Sequence, residues 1–72
     1  MGENMFHFTS ISHRRGWNYQ TDFSGKNEHD AIEEFNQYCV GHNAEWGHLF
    51  YEETGAGVRS YFKDRGLVDF EG

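Results

Sequence analysis

The chain has 72 residues, a formal net charge of −6, and an aromatic complement of seven Phe, four Tyr and two Trp. This length builds one hydrophobic core, so the sequence predicts a single domain over residues 1–72. The single cysteine, Cys39, excludes an intramolecular disulfide. Twelve acidic residues against six basic ones argue against a conventional nucleic-acid binder, because phosphate neutralisation needs clustered Lys and Arg.

The N-terminal residues 1–6 contain neither a basic region nor an apolar stretch, so they do not have the pattern of a signal peptide. No apolar run in the sequence approaches the ~18 residues of a membrane span. One free thiol and five histidines fit a reducing compartment, and the sequence therefore predicts a cytoplasmic protein.

Two strands are predicted at the start of the chain. Residues Met5–Ser12 alternate Phe with polar residues, and His13–Gly16 provides a connection in which glycine supplies a positive φ. Residues Trp17–Phe23 alternate more regularly, with Trp17, Tyr19, Thr21 and Phe23 on one side. This alternation is typical of a sheet with one buried and one wet face.

A helix is predicted after Ser24–Lys26, which is expected to end the second strand. Asn27 has the position of an N-cap, and acidic residues in the first turn suit the helix dipole. Gly41 is the expected stop. The apolar stripe at three- and four-residue spacing consists of Ala31, Ile32, Phe35, Tyr38 and Cys39.

A second hairpin is predicted from Trp46–Glu53 and Val58–Lys63, with a glycine-bearing turn between them. Along its first strand, Leu49 and Tyr51 are expected on one face, with Trp46, His48 and Phe50 on the other. The last segment, residues 66–70, fits either a short edge strand or a tail packed over the helix. The resulting order is β-β-α-β-β, which predicts a two-layer α+β domain. Its antiparallel four-stranded sheet carries one helix on one face. Strand order within the sheet cannot be read from this pattern.

No residue pattern indicates a catalytic site, a cofactor or a metal centre. Cys39, His42 and His48 have spacings that zinc could use, but a fourth ligand is missing. Cys39 falls on the apolar stripe of the helix, where a buried structural thiol is favoured over a nucleophile. The sequence therefore predicts a protein without enzymatic activity.

The acidic residues offer a candidate surface for binding a partner. Four carboxylates fall within two turns of the predicted helix, and Glu45, Glu52 and Glu53 add to the hairpin that follows. The candidate aromatic anchors in this hairpin are Trp46, Tyr51 and Tyr61. A solvated helix face explains the helical cluster equally well, whereas a binding surface would attract Lys- and Arg-rich proteins. The predicted partner-binding residues are Glu28, Asp30, Glu33, Glu34, Trp46, Tyr51, Glu52 and Glu53.

Two alternatives stay open. The chain could form a homodimeric structural or regulatory subunit through an exposed hairpin edge. It could also bind nucleic acid weakly through the four cations Arg14, Arg15, Arg59 and Lys63.

The stretch from the second strand through the second hairpin resembles several small phage-encoded proteins, including anti-CRISPR proteins. The resemblance lies in an extended polar strand, a helix that opens with Asp30 and Ala31, and the hairpin segment Gly47–Gly55. It implies a non-enzymatic inhibitor, made in an infected bacterium, that evades host defence by binding a defence complex. Basic surfaces that handle nucleic acid are common targets of such inhibitors, and the expected location is the bacterial cytoplasm.

Overall fold

The computed structural model describes residues 6–71 and contains a five-stranded antiparallel sheet with one helix packed on one face. The strand order in the sheet is β2-β1-β3-β4-β5. The elements are β1 (Phe6–Arg14), β2 (Trp17–Lys26), α1 (Glu28–Gly41), β3 (Trp46–Tyr51), β4 (Gly57–Phe62) and β5 (Gly66–Asp69).

The α+β class, the antiparallel sheet and the single helix are confirmed, but the predicted count of four strands is wrong. The fifth strand is the last segment of the chain, which pairs with β4 from Arg59↔Asp69 to Phe62↔Gly66. A short turn permits this pairing, since Gly66 adopts a φ of +81°.

The first hairpin is longer than its sequence pattern indicates. β1 continues to Arg14, and the turn is reduced to Arg15 and Gly16, both with positive φ, as two-residue hairpins of this hand require. The predicted break at Ser24–Lys26 is wrong, because β2 runs to Lys26 through a bulge in which Gly25 has a φ of +74°. Met5, the predicted first strand residue, lies outside the described residues.

The helix begins where the sequence predicts. Oδ1 of Asn27 accepts a hydrogen bond from the backbone N–H of Asp30 at 2.8 Å. Helical structure continues through Gly41, but the left-handed residue after it is Asn43, with a φ of +56°. The predicted apolar stripe is confirmed, since Ala31, Phe35 and Cys39 are fully buried and Ile32 and Tyr38 pack against the core.

Small side chains on β1 and β3 allow the helix to approach the sheet closely. Ser12 lies opposite Gly47, and a Cβ atom on Gly47 would be 3.0 Å from the sulfur of Cys39 and 3.2 Å from the ring of Phe35. The main core fills the remaining space between the two layers. Its members are Phe8, Phe23, Ala31, Phe35, Cys39, Ala44, Leu49, Val58 and Tyr61.

We call the sheet face opposite the helix the open face. Residues Thr9, Ile11 and His13 of β1 lie on it, opposite Phe50, His48 and Trp46 of β3. Phe62 of β4 lies across from Trp46 on the same face. The predicted division of β3 into two faces is confirmed, with Leu49 buried on the helix side and the aromatic residues half-buried on the open face.

Candidate partner-binding surfaces

Most of the predicted partner-binding residues meet at one end of the molecule. This acidic end consists of the first two turns of α1 and the residues that follow β3. The phenol of Tyr51 links them by donating a short hydrogen bond to Oε2 of Glu28. The six exposed carboxylates of the acidic end are Glu28, Asp30, Glu33, Glu34, Glu52 and Glu53.

Few cations neutralise this acidic end. Lys26 pairs with Glu34 at 2.9 Å, and His29 lies 3.5 Å from Asp30. Within residues 6–71, the carboxylates of Glu33, Glu52 and Glu53 have neither an ion pair nor a hydrogen bond. The hydrogen bond to Glu28, together with burial and the Glu28 charge, raises the pKa of Tyr51, which therefore stays a neutral donor.

A cleft of about 430 Å³ lies beside the acidic end. Its walls are formed by Phe6, His7, Tyr51, Glu53, Thr54 and Ala56. Rings from Phe6 and Tyr51 meet edge to face there, with centroids 5.8 Å apart. An apolar cleft next to a carboxylate suits a long cationic side chain, whose hydrocarbon stem needs apolar contact while its charged head stays at the rim.

Trp46 does not belong to this surface. It lies on the open face at the other end of β3, where its ring stacks on His13 with centroids 5.3 Å apart and planes within 3°. Glu52 and Glu53, predicted within the third strand, follow its last residue, Tyr51, and lie in the β3–β4 turn. The eight predicted residues therefore form one group of seven and one separate tryptophan.

The sequence pattern missed a cluster on the open face. His48 lies among four aromatic rings, Trp46, Phe50, Phe62 and Phe70, with centroid distances from 5.3 to 6.4 Å. Nδ1 of His48 lies 2.8 Å from the hydroxyl of Ser60, which accepts the backbone N–H of Glu71 at 2.8 Å. Burial lowers the pKa of His48, and the carboxylate of Glu71 opposes this effect.

The end of the described chain closes over this cluster. Phe70 packs on Phe50 and on the bare backbone of Gly57, where no Cβ atom could be accommodated. Arg65 donates two hydrogen bonds of 3.2 Å to Glu71 and places its guanidinium 4.2 Å from the ring centre of Phe62. Alternation of Val68 and Phe70 was the signal that could have assigned this tail to the open face.

The cysteine and histidines considered for zinc are not brought together. Cys39 lies in the core under the helix, whereas His48 lies on the open face, on the other side of the sheet. Burial raises the pKa of the Cys39 thiol to about 12, so it remains protonated at neutral pH and is unsuited to nucleophilic attack. A different group, His29, Asp30 and Glu33, has ligand atoms within 4.8 Å of one another, but all three side chains are exposed.

Three further sequence interpretations change with the topology. Both strands of the β3–β4 hairpin lie inside the sheet, so the free edges belong to β2 and β5. Tyr61, considered an aromatic anchor, is 7% exposed and part of the core. Arg59 lies opposite Leu49 on the helix side of the sheet, apart from Arg14, Arg15 and Lys63.

Comparison with known protein families, curated proteins and solved structures found no match to this chain. Among the residues described, α1 has 14 residues and is too short and too polar to cross a membrane.

Proposed function

We propose that this protein is a small non-enzymatic inhibitor that uses its acidic end to dock on a basic, nucleic-acid-handling surface of a host defence complex. The sequence resemblance to phage-encoded anti-CRISPR proteins supplies the class of target, and the bacterial cytoplasm is the proposed location. The observation that carries the proposal is the joining of two acidic segments, the start of α1 and the β3–β4 turn, through the Tyr51–Glu28 hydrogen bond.

Charge and rigidity both favour this use of the acidic end. Six exposed carboxylates share a single lysine, Lys26, so a strong negative potential extends into solvent. The carboxylates are held on a capped helix and on a turn bonded to it, which reduces the entropy lost on binding. In a basic channel that normally holds phosphates, these carboxylates would occupy several of the phosphate positions.

The cleft beside Glu53 adds a means of anchoring. A lysine or arginine from the partner could lay its stem in the cleft against the rings of Phe6 and Tyr51 and place its charged head near Glu53. Contacts of this kind, one anchored side chain amid a field of opposite charge, contribute much of the affinity in many interfaces.

The test is capture of the target from a lysate of bacteria that carry a CRISPR defence system, with wild-type protein and two charge-matched double variants. In Glu33→Lys/Glu53→Lys, both altered carboxylates are exposed and lack bonded partners in the described chain, so the fold should be kept. In Asp64→Lys/Asp69→Lys, the same change in net charge falls on the β4–β5 hairpin, outside the acidic end.

We expect the wild-type protein and the Asp64/Asp69 variant to capture the target, and the Glu33/Glu53 variant to fail to capture it. Added salt should release the captured target as the Debye length shortens from ~10 Å toward ~3 Å. The purified target should lose its nucleic-acid binding when the wild-type protein is added. Equal capture by both double variants would show that the acidic end is not the contact surface. If the captured target still binds nucleic acid normally, the protein does not block the nucleic-acid-binding surface.

A further inference from the structure

The largest exposed aromatic side chain lies far from the acidic end, at the tip of the first hairpin. Trp17 is 68% exposed and follows the two-residue turn of Arg15 and Gly16. Its Cα is paired with that of Arg14, the last residue of β1. An indole left in water at a turn adds nothing to the core, so folding does not explain its presence.

Three cations near this end have no partner among the described residues, although the chain has twice as many acids as bases. Lys26 and Arg65 pair with Glu34 and Glu71. Within the described residues 6–71, by contrast, the side chains of Arg14, Arg15 and Lys63 make no ion pair and no hydrogen bond. The Nε of Arg14 is enclosed and unbonded.

Hydrogen bonds draw the cations of two different turns together. The backbone N–H of Glu45 donates to the carbonyl of His13 at 2.7 Å, and the N–H of Lys63 donates to the carbonyl of Glu45 at 3.0 Å. Only β3 separates β1 from β4, so the strand ends at Arg14 and Lys63 lie about 10 Å apart at a strand spacing of ~4.8 Å. Glu45 and Asp64 also lie at this end, and Glu45 contacts His13.

We infer that this basic tip, formed by Arg14, Arg15, Trp17 and Lys63, is a binding site for single-stranded nucleic acid. Trp17, on the edge strand β2, is the stacking platform for a base, and the three cations, which lie in the adjoining turn and toward β1 and β4, contact neighbouring phosphates. A duplex hides its base faces, so an exposed indole selects unpaired bases.

The overall negative charge does not prevent this binding. His7, whose carbonyl bonds to Glu52, and Arg14 are separated along β1 by seven residues, or ~23 Å at ~3.3 Å per residue. This separation exceeds the Debye length of ~8 Å at physiological salt, so the carboxylates of the acidic end are largely screened at the tip. The inference is independent of the proposed function, which uses the opposite end.

The experiment titrates purified protein into a fluorescein-labelled 12-nucleotide oligo(dT) and follows anisotropy at 50 and 200 mM salt. Wild-type protein should bind with micromolar to submillimolar affinity. If two or three phosphates are contacted, raising the salt from 50 to 200 mM should weaken binding roughly 7- to 20-fold. Trp17→Ala should weaken binding by about tenfold, as expected for one lost base stack. Arg14→Gln/Arg15→Gln should reduce both affinity and salt dependence.

Lys26→Gln is the control for loss of a cation elsewhere, because this lysine lies at the far end of β2 and its removal should leave oligonucleotide binding unchanged. Circular dichroism of each variant checks that the fold is retained. Absence of binding at 1 mM wild-type protein would overturn the inference, as would equal binding by the wild-type protein and both tip variants. Tip-dependent binding to phosphatidylserine vesicles without binding to oligo(dT) would assign the tip to a membrane instead and also overturn it.

Discussion

Gly57 is the residue at which an added methyl group should lower the stability of the fold most. A Cβ atom there would lie closer than 3.0 Å to the ring of Phe70, a separation that real Cβ atoms essentially do not show. We therefore expect Gly57→Ala to lower the free energy of unfolding by about 1–3 kcal/mol in urea titrations, as overpacking does elsewhere. The effect should shrink in a Phe70→Ala background, because the two residues are in contact.

Gly41→Ala is the control for this substitution. Gly41 is the last residue of α1, and a Cβ atom added there would have no neighbour within 4 Å. Alanine at this position should be neutral or stabilise by up to about 1 kcal/mol, through helix propensity. A Gly57→Ala variant as stable as Gly41→Ala would mean that Phe70 does not pack on this backbone.

His48 should make stability depend on pH. Ser60 accepts the N–H of Glu71, so its own hydroxyl proton is free to donate to Nδ1 of neutral His48. The groups around the imidazole are aromatic rings from β3, β4 and the tail, together with the carboxylate of Glu71. Desolvation by burial lowers the pKa of His48, and the Glu71 charge opposes this with a smaller effect.

The sign follows from proton linkage. The pKa of His48 is below its unfolded value of 6.5, so the unfolded chain takes up this proton first as the pH falls. The contribution of neutral His48 is present above pH ~6.5 and is lost below it. The urea midpoint should therefore decrease as the pH is lowered from 7.5 to 5.5, and it should decrease less steeply in His48→Gln. The exposed control His29→Gln should keep the wild-type slope, and an unchanged slope in His48→Gln would contradict this account.

At the scale of the elements, the start of the helix depends on one side chain. Asn27→Ala removes the acceptor for the N–H of Asp30 and should cost about 1 kcal/mol in urea or thermal unfolding. Gln37→Ala, at an exposed position within the helix, should change stability much less. Equal stability of the two variants would show that the cap is not needed.

The elements with local signals were the predictable ones. Asn27, the stripe through Phe35 and Cys39, and the alternation in β3 are set by neighbours in sequence, and the structure confirms them. The last segment was left between two alternatives, because residues 66–69 become a strand only through pairing with β4, a contact that the local pattern leaves undetermined.

The candidate surfaces were also predictable only where neighbouring residues in the sequence determine them. Carboxylates of α1 share a face by helical period, but their union with the β3–β4 turn depends on Tyr51 meeting Glu28, 23 residues away in the chain. The separation of Trp46 from that surface follows from strand alternation, which places Trp46 and Tyr51 on opposite faces of the sheet. The cluster around His48 depends on the tail, whose position required the sheet order.

For the whole molecule, the two free sheet edges decide the oligomeric state. β5 is only four residues long and ends at Asp69. β2 has 10 residues, but it carries Asp22 and Lys26 and a bulge at Gly25. Short strands, charged side chains and bulges all disfavour pairing between edges. We therefore expect a monomer of 8.5 kDa by light scattering, independent of concentration up to the millimolar range.

The homodimer alternative makes the opposite prediction, a mass twice as large that falls on dilution. Pairing along β2 would enlarge a particle whose principal extents are already 42 × 21 × 19 Å, and small-angle scattering would detect this beyond the radius of gyration of 11.7 Å for the single chain. Such a dimer would also cover the edge next to Trp17. A monomer instead leaves the basic tip and the acidic end free at the same time, so each could hold its own partner without displacing the other.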